Sequence, residues 1–295
     1  MTDEEFLEQA WRLVLRREPD AAGAAEGLER LRSGRISRAS YLAELVADAP
    51  FARLRALDDG AALARHYRGE RPRNLRAPGW VDERAIEIPW VLSRAFGAQR
   101  ILDVGTVFAE PPYVAGLHDL GAEVTTVDLA EGADVVADVR DLPFEDGRFD
   151  LALCVSTLEH VGHDNTTYDV DAPRDDDGDV AALRELRRVA ERVIVSVPTG
   201  VRDDQGWQLQ RAPLEWIELF ERSGFTVYED ELYVHGEAGW RTATLTDAEA
   251  ARYGEHHAGA VLLAELRRGT VGEKLRLAVR DARHRDVVRR STLVA

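Results

Sequence analysis

The chain has 295 residues, of which 45% are hydrophobic and 31% charged, and a formal net charge of −16. This describes a folded globular protein, and the acidic balance argues against broad binding along a nucleic-acid backbone, which needs clustered positive charge. The single cysteine, Cys154, excludes an intrachain disulfide. The opening MTDEEFLEQAW is acidic and lacks the basic-then-apolar pattern of a secretory signal. No run approaches the ~18 apolar residues of a membrane span. A cytoplasmic protein is the expectation.

Residues 1–65 read as a small all-helical domain. Thr2 and Glu5 form a capping-box pattern, and Phe6, Ala10, Leu13 and Val14 recur at helical spacing. Asp20 is placed to cap a second helix, which carries Leu28 and Leu31 and stops at Ser33-Gly34. A third follows Ser37 or Ser40, with Tyr41, Leu42, Leu45 and Val46 on its apolar side, and Pro50 marks its end or a kink. Residues 66–80, HYRGERPRNLRAPGW, read as a linker or an ordered crossing loop. Their arginines make either a local anion-binding patch or a solvated connection.

From Val81 to residue 268 helices alternate with short apolar strands. Strands are expected at 100–104, 123–128, 134–137, 149–155, 192–197, 225–234 and 259–266, and helices at 82–96, near 111–120, at 179–190 and at 213–223. Apolar strands alternating with helices indicate an α/β fold with a sheet covered on both faces. The expected form is a Rossmann-like, seven-stranded, mostly parallel sheet. No helix is expected between the last two strands, so the final strand runs antiparallel beside the sixth. Residues 269–295 read as a polar tail.

Ligands of such sheets bind beyond the carboxyl ends of the strands. Asp103, Asp128 and Asp138 end the first, second and third strands. A dinucleotide site would need G-x-G-x-x-G in the first loop, so that bare amides face a pyrophosphate. Here the loop is D-V-G-T-V-F-A-E-P-P: only Gly105 remains, and Glu110 adds negative charge. S-adenosylmethionine suits it better, because it carries a sulfonium, an ammonium and one carboxylate but no phosphate. Asp103 can meet the ammonium and Gly105 supplies the turn. Asp128 can accept the ribose hydroxyls, and Asp138 the adenine amine with Val139 against the ring. Singly, each acid is equally a solvated strand end or a helix cap.

Residues 100–200 resemble the class I S-adenosylmethionine-dependent methyltransferases. The resemblance is carried by ILDVG, VTTVDL, LPFEDGRFDLALCVSTLEHV and VIVSVPTG, and extends over roughly residues 80–268. It implies cofactor contacts from Asp103, Gly105, Thr106, Asp128, Leu129, Asp138, Val139 and Ser156. Within the family the likeness is nearest to bacterial sugar and surface-glycan enzymes. The segments LRREPDAAG, LRSGRISRASYLAEL and DAPF resemble a small helical domain found in bacterial surface-glycan proteins, which implies an envelope association; a helical cap or a dimerisation module is the other reading.

Methyl transfer needs alignment of acceptor, methyl and sulfur, and an alcohol acceptor must also lose a proton. TLEHVGHDN follows the fourth strand, so His160 or His163 is the expected general base, with Glu159 orienting it. Glu159, His160, His163 and Asp164 are also a possible divalent-metal set. Asp175–Asp177 could bind metal or sugar hydroxyls, or Asp179 could cap the following helix. Tyr168, Trp207, His235 and Trp240 are candidate acceptor contacts, the tryptophans equally packing residues. The expected function is O-methylation of a sugar, glycolipid or glycan-linked hydroxyl, with no nucleic-acid partner and possible self-association through the N-terminal helices. The alternatives are methylation of a small natural product or amine, a non-catalytic glycan-assembly protein of the same fold and, last, a nicotinamide oxidoreductase.

Overall fold

The computed structural model describes residues 1–15, 19, 21–47, 49–67, 70–170, 172–254 and 257–269. Asp20 and the tail after residue 269 lie outside them. Four helices come first: α1 (Asp3–Val14), α2 (Ala21–Arg32), α3 (Arg38–Ala47) and α4 (Ala49–Tyr67). The Thr2–Glu5 capping box forms as expected, with Glu5 N donating to Thr2 Oγ1 at 3.1 Å and Thr2 N to Glu5 Oε2 at 2.7 Å. Pro50 opens α4 instead of ending the third helix, because a proline in the first turn gives up an amide that has no helical partner. Leu7, Trp11, Leu31, Tyr41, Leu45 and Leu54 form a core for these helices, and Trp11 Nε1 donates to the Tyr41 hydroxyl at 2.9 Å. Further along α4, Leu57, Ala61 and Ala64 pack instead into the core of the α/β region.

That region runs α5 (Arg84–Ala95), β1 (Arg100–Val104), α6 (Pro111–Asp119), β2 (Glu123–Asp128), β3 (Val135–Val136), β4 (Phe149–Val155), α7 (Gly178–Val189) and β5 (Ala190–Pro198). It continues with β6 (Asp203–Asp204), β7 (Leu209–Gln210), α8 (Pro213–Arg222), β8 (Phe225–Gly236), β9 (Gly239–Thr242), α9 (Leu245–Glu249) and β10 (Ala260–Arg268). The main sheet has the order β3-β2-β1-β4-β5-β10-β8-β9. The first five strands pair in parallel, and β10 lies antiparallel between β5 and β8, as expected for the last strand. The sequence pattern missed β9, an eighth strand hairpinned onto β8, and the short α9 whose cap is Thr244. β6 and β7 form a separate small hairpin.

Alternation along the strands sorts the core into two layers. Leu102, Val104, Val193 and Val195 face α7 and α8, meeting Leu183, Leu186, Trp216 and Phe220. Ile101, Leu151, Leu153 and Ile194 face α4, α5 and α6, meeting Leu57, Trp90, Val91 and Leu117. Each such buried side chain contributes about 1.5–3 kcal/mol. Among the described residues no helix is long and apolar enough to cross a membrane.

Arg71 and Arg73 of the 66–80 segment pair with buried glutamates of the sheet. Arg71 pairs with Glu229 at 2.8 Å and Glu265 at 2.6 Å, and Arg73 with Glu229 at 2.8 Å. Arg94 of α5 joins them on Glu229 at 2.8 Å. Glu229 and Glu265 are buried on β8 and β10, so the cations compensate charges that could not stay unpaired there. The segment is thereby a strap bound to the sheet.

Candidate active site

β1 has β2 on one side and β4 on the other, so the chain leaves its carboxyl end at a topological switch point. A pocket opens there, with about 1220 Å³ of empty space including its mouth. Of the residues singled out from sequence, Asp103, Gly105, Asp128, Leu129, Asp138, Val139, Ser156, His160 and Tyr168 line it. Thr106, Glu159, His163, Trp207, His235 and Trp240 do not.

Asp103 is the deepest acid. It is 2% exposed, and its Oδ1 accepts from the Tyr113 hydroxyl at 2.7 Å. Its Oδ2 is buried without a hydrogen-bond partner in the protein. Burial pushes this carboxyl up to about 6, against bonds from Tyr113 and Thr106 that lower it and the nearby Asp128 charge that raises it. Thr106 thus acts behind Asp103, off the pocket wall. A buried carboxylate with one oxygen unpartnered calls for a donor or a cation nearby.

Asp128 closes β2 and receives two amides, Val107 N on Oδ2 and Ala130 N on Oδ1, each at 3.0 Å. These bonds fix the carboxylate while leaving lone pairs toward the pocket. Asp138 lines the pocket too. Its carboxylate is held by Arg140, with Nε 3.0 Å from both oxygens and Nη2 2.6 Å from Oδ2. Burial raises its pKa but the Arg140 bonds outweigh that, and the net direction is down. Arg140 also donates to the Pro173 carbonyl at 3.2 Å and lies 3.4 Å from Asp175. Arg140 thereby links Asp138 to the 172–178 stretch through Pro173 and Asp175. Asp179 sits in the first turn of α7, where it pairs with Arg211; the N-cap position is Asp177.

Ser156 ends β4 with φ +43°, a left-handed conformation uncommon for a residue with a Cβ. Its amide bonds the Ser196 carbonyl and Oγ, both at 3.0 Å, and its own Oγ donates to Glu87 at 2.8 Å. Such strain persists only where surrounding bonds over-determine it.

The two candidate bases separate clearly. His160 sits on the pocket wall, and its Nδ1 lies 3.1 Å from the Trp207 carbonyl. A carbonyl only accepts, so Nδ1 carries the proton and Nε2 keeps its lone pair. Burial pushes the imidazole down to about 4; the Trp207 bond opposes this, and the Arg84 and His163 charges add to it. His160 is thus neutral at pH 7. His163 is buried off the pocket with Nδ1 unpartnered. Trp207 orients His160 through its carbonyl, and its ring lies tilted against the imidazole, centroids 5.1 Å apart at 32°.

Glu159 does not orient the imidazole. Its Oε1 is 3.8 Å from His160 Nε2, beyond hydrogen-bond reach, and its Oε2 is buried without a partner. Burial pushes this carboxyl up to about 8, its own backbone bond lowers it, Glu87 raises it, Arg84 lowers it and Glu83 raises it. It is protonated at neutral pH. Asp164 bonds Thr166, Oδ1 to N at 3.0 Å and to Oγ1 at 2.7 Å. Among the described residues no three His, Cys, Asp or Glu side chains are grouped to hold a metal.

A raised acid stabilises the fold fully below its unfolded pKa, and the contribution is lost as pH rises through the folded value. Glu159 should therefore weaken the fold between about pH 4.5 and pH 8. The isosteric Glu159→Gln variant should gain thermal stability relative to the parent as pH goes from 5 to 8. Parallel unfolding curves across that range would contradict the buried, protonated state.

Tyr168 stands edge-on to His160 (centroids 5.6 Å, 86°) and 5.3 Å from Phe108, whose ring is 61% exposed at the rim. Trp240 is 1% exposed, with Nε1 donating to the Val81 carbonyl, and His235 bonds the Gly79 carbonyl. Both belong to the far β8–β9 edge, away from the pocket. Sequence reasoning missed Arg84, Phe108, Tyr113 and Arg140, all lining residues. The run VDERAIE at the start of α5 was the only available signal for Arg84.

Residues 102–192 match the family model described as a methyltransferase domain. The match runs from β1 into β5, the part of the α/β region that builds the pocket. A curated relative, an uncharacterized protein of Methanocaldococcus jannaschii, is 29% identical over 108 residues, 34% of this chain. The match spans 40% of that relative's length. Among solved structures, the chain resembles a Burkholderia thailandensis 1,6-didemethyltoxoflavin-N1-methyltransferase with bound S-adenosylhomocysteine, at 16% identity and TM-score 0.42, covering 89% of this chain and 91% of that one. It also resembles the [4+2]-cyclase SpnF at 15% identity and TM-score 0.46, over 73% and 94% of the two chains. The mitomycin 7-O-methyltransferase MmcR is a third, at 15% identity and TM-score 0.39, over 79% and 58%.

Proposed function

We propose that this methyltransferase domain serves an S-adenosylmethionine-dependent O-methyltransferase, acting on a sugar or glycan-linked hydroxyl. The observation that carries the reading is one pocket holding both the orphaned Asp103 carboxylate and a neutral His160 with a free Nε2. The residues present fit the cofactor. The Asp103 carboxylate on the pocket wall suits an ammonium, and the two fixed oxygens of Asp128 suit a ribose diol. Val139 and Leu129 supply apolar wall for an adenine, with the Arg140-held Asp138 beside them. When bound, S-adenosylmethionine supplies an electrophilic methyl group on sulfur.

His160 holds the tautomer that accepts an acceptor hydroxyl's proton. Phe108 and Tyr168 give aromatic faces for the apolar side of a sugar ring. The same pair would seat a planar natural product, which is the second reading. Labelled methyl transfer into glycan extracts and into a panel of phenolic alcohols separates the two.

Binding is tested by calorimetry with S-adenosylhomocysteine against NADH. Asp128→Asn should weaken S-adenosylhomocysteine by about 10- to 100-fold, the scale of hydrogen bonds to a charged acceptor. Absence of binding by the parent protein would sink the cofactor assignment and favour the non-catalytic alternative.

A further inference from the structure

The loop between β1 and α6 lacks the glycines that would let bare backbone shape a ligand site, so its path must be fixed otherwise. Several bonds come from its own domain, among them Gly105 N to the Val127 carbonyl at 2.9 Å, Val107 N to Asp128 at 3.0 Å and Ala109 N to the Thr106 carbonyl at 2.9 Å. Another comes from the N-terminal helices: Arg53 of α4 donates through Nη2 to Glu110 Oε1 at 2.6 Å. The same guanidinium donates through Nε to Asp82 Oδ2, also at 2.6 Å. Asp82 Oδ1 in turn accepts from Arg84 N at 3.3 Å, at the start of α5. Glu110 and Arg84 both line the pocket.

We infer that the N-terminal helical region is a working part of the site: Arg53 is a positioning residue that clamps the 105–110 loop to the first turn of α5 and neutralises Glu110. The planar fork of arginine suits two carboxylates from two segments, and the three side chains are only 22–29% exposed. Without Arg53, Glu110 would leave an uncompensated charge in a pocket that already holds Asp103 and Asp128. The inference borrows from the cofactor reading only the choice of probe; the clamp itself is independent of ligand.

Amide hydrogen exchange of the ligand-free full chain, paired with S-adenosylhomocysteine titration, tests it on Arg53→Ala, Arg53→Lys, Glu110→Gln and the Arg53→Ala/Glu110→Gln double variant. Arg53→Ala should speed exchange at residues 106–110 and 84–88 by about fivefold or more. It should weaken S-adenosylhomocysteine about tenfold, with Arg53→Lys intermediate. Glu110→Gln should change affinity less than about twofold further once Arg53 is absent, because coupled residues are not additive. Unchanged exchange at 106–110 overturns the clamp. Faster exchange confined to 49–67, with parental affinity, assigns Arg53 to fold stability alone and overturns it equally. If the parent fails to bind S-adenosylhomocysteine, the cofactor reading falls while the exchange comparison still decides the clamp.

Discussion

Replacing Gly105 by alanine should eliminate measurable S-adenosylhomocysteine binding, a loss of at least about 100-fold. Gly105 has φ +78°, where a Cβ is strained, and that Cβ would lie 2.2 Å from Thr157 Oγ1, 2.5 Å from Cγ2 and 2.9 Å from Cβ. Thr157 cannot readily yield, because its Oγ1 is within bonding distance of the Val104 and Val155 carbonyls, at 3.3 and 3.0 Å. Relief must then come from the loop, which carries the Val107 amide away from Asp128 and disturbs the cofactor wall. Gly97→Ala is the matched control, since it has a similar φ of +88° and nothing within 4 Å of the new Cβ. Calorimetry and thermal unfolding on both variants separate backbone strain from close approach. Equal, small losses in the two would show that the loop absorbs the methyl and that Gly105 is not what shapes the site.

Substituting His160 by alanine should lower kcat by about 10²–10⁴, the range for loss of a general base, with S-adenosylhomocysteine affinity changed only a few-fold. His163→Ala should leave kcat within about threefold, because that ring is off the pocket wall. The pH profile gives a second readout. With its pKa pushed down to about 4, His160 is unprotonated across the neutral range, and the acid limb should fall near that value instead of near 6.5. An acid limb at the ordinary imidazole position, or full turnover in His160→Ala, would remove His160 from the mechanism.

The separation between His160 and His163 shows where sequence reasoning reached its limit. Both lie in TLEHVGHDN with the same intrinsic chemistry. The choice between them rests on a carbonyl 47 residues away, at Trp207, which orients one ring and not the other. Glu159 illustrates the same point. Adjacent to His160 in sequence, it points inward and is neutralised by burial, because a short 3₁₀ turn sends neighbouring side chains in different directions. Asp138 ended its strand as expected, yet Arg140 two residues later took its carboxylate.

The sequence by itself determined the alternation of helices and strands, the antiparallel final strand and the placing of Asp103, Gly105, Asp128 and Asp138 at one end of the sheet. These follow from local periodicity, turn chemistry and the rule that parallel sheets gather ligands at strand ends. The tertiary structure alone decided the eighth strand, the strap of Arg71 and Arg73 on buried glutamates, the start of α4 at Ala49 and the bond from Arg53 to Glu110 of the pocket wall. Each depends on groups far apart in the chain, whose pairing is set by burial and geometry and leaves no periodic mark in the residues themselves.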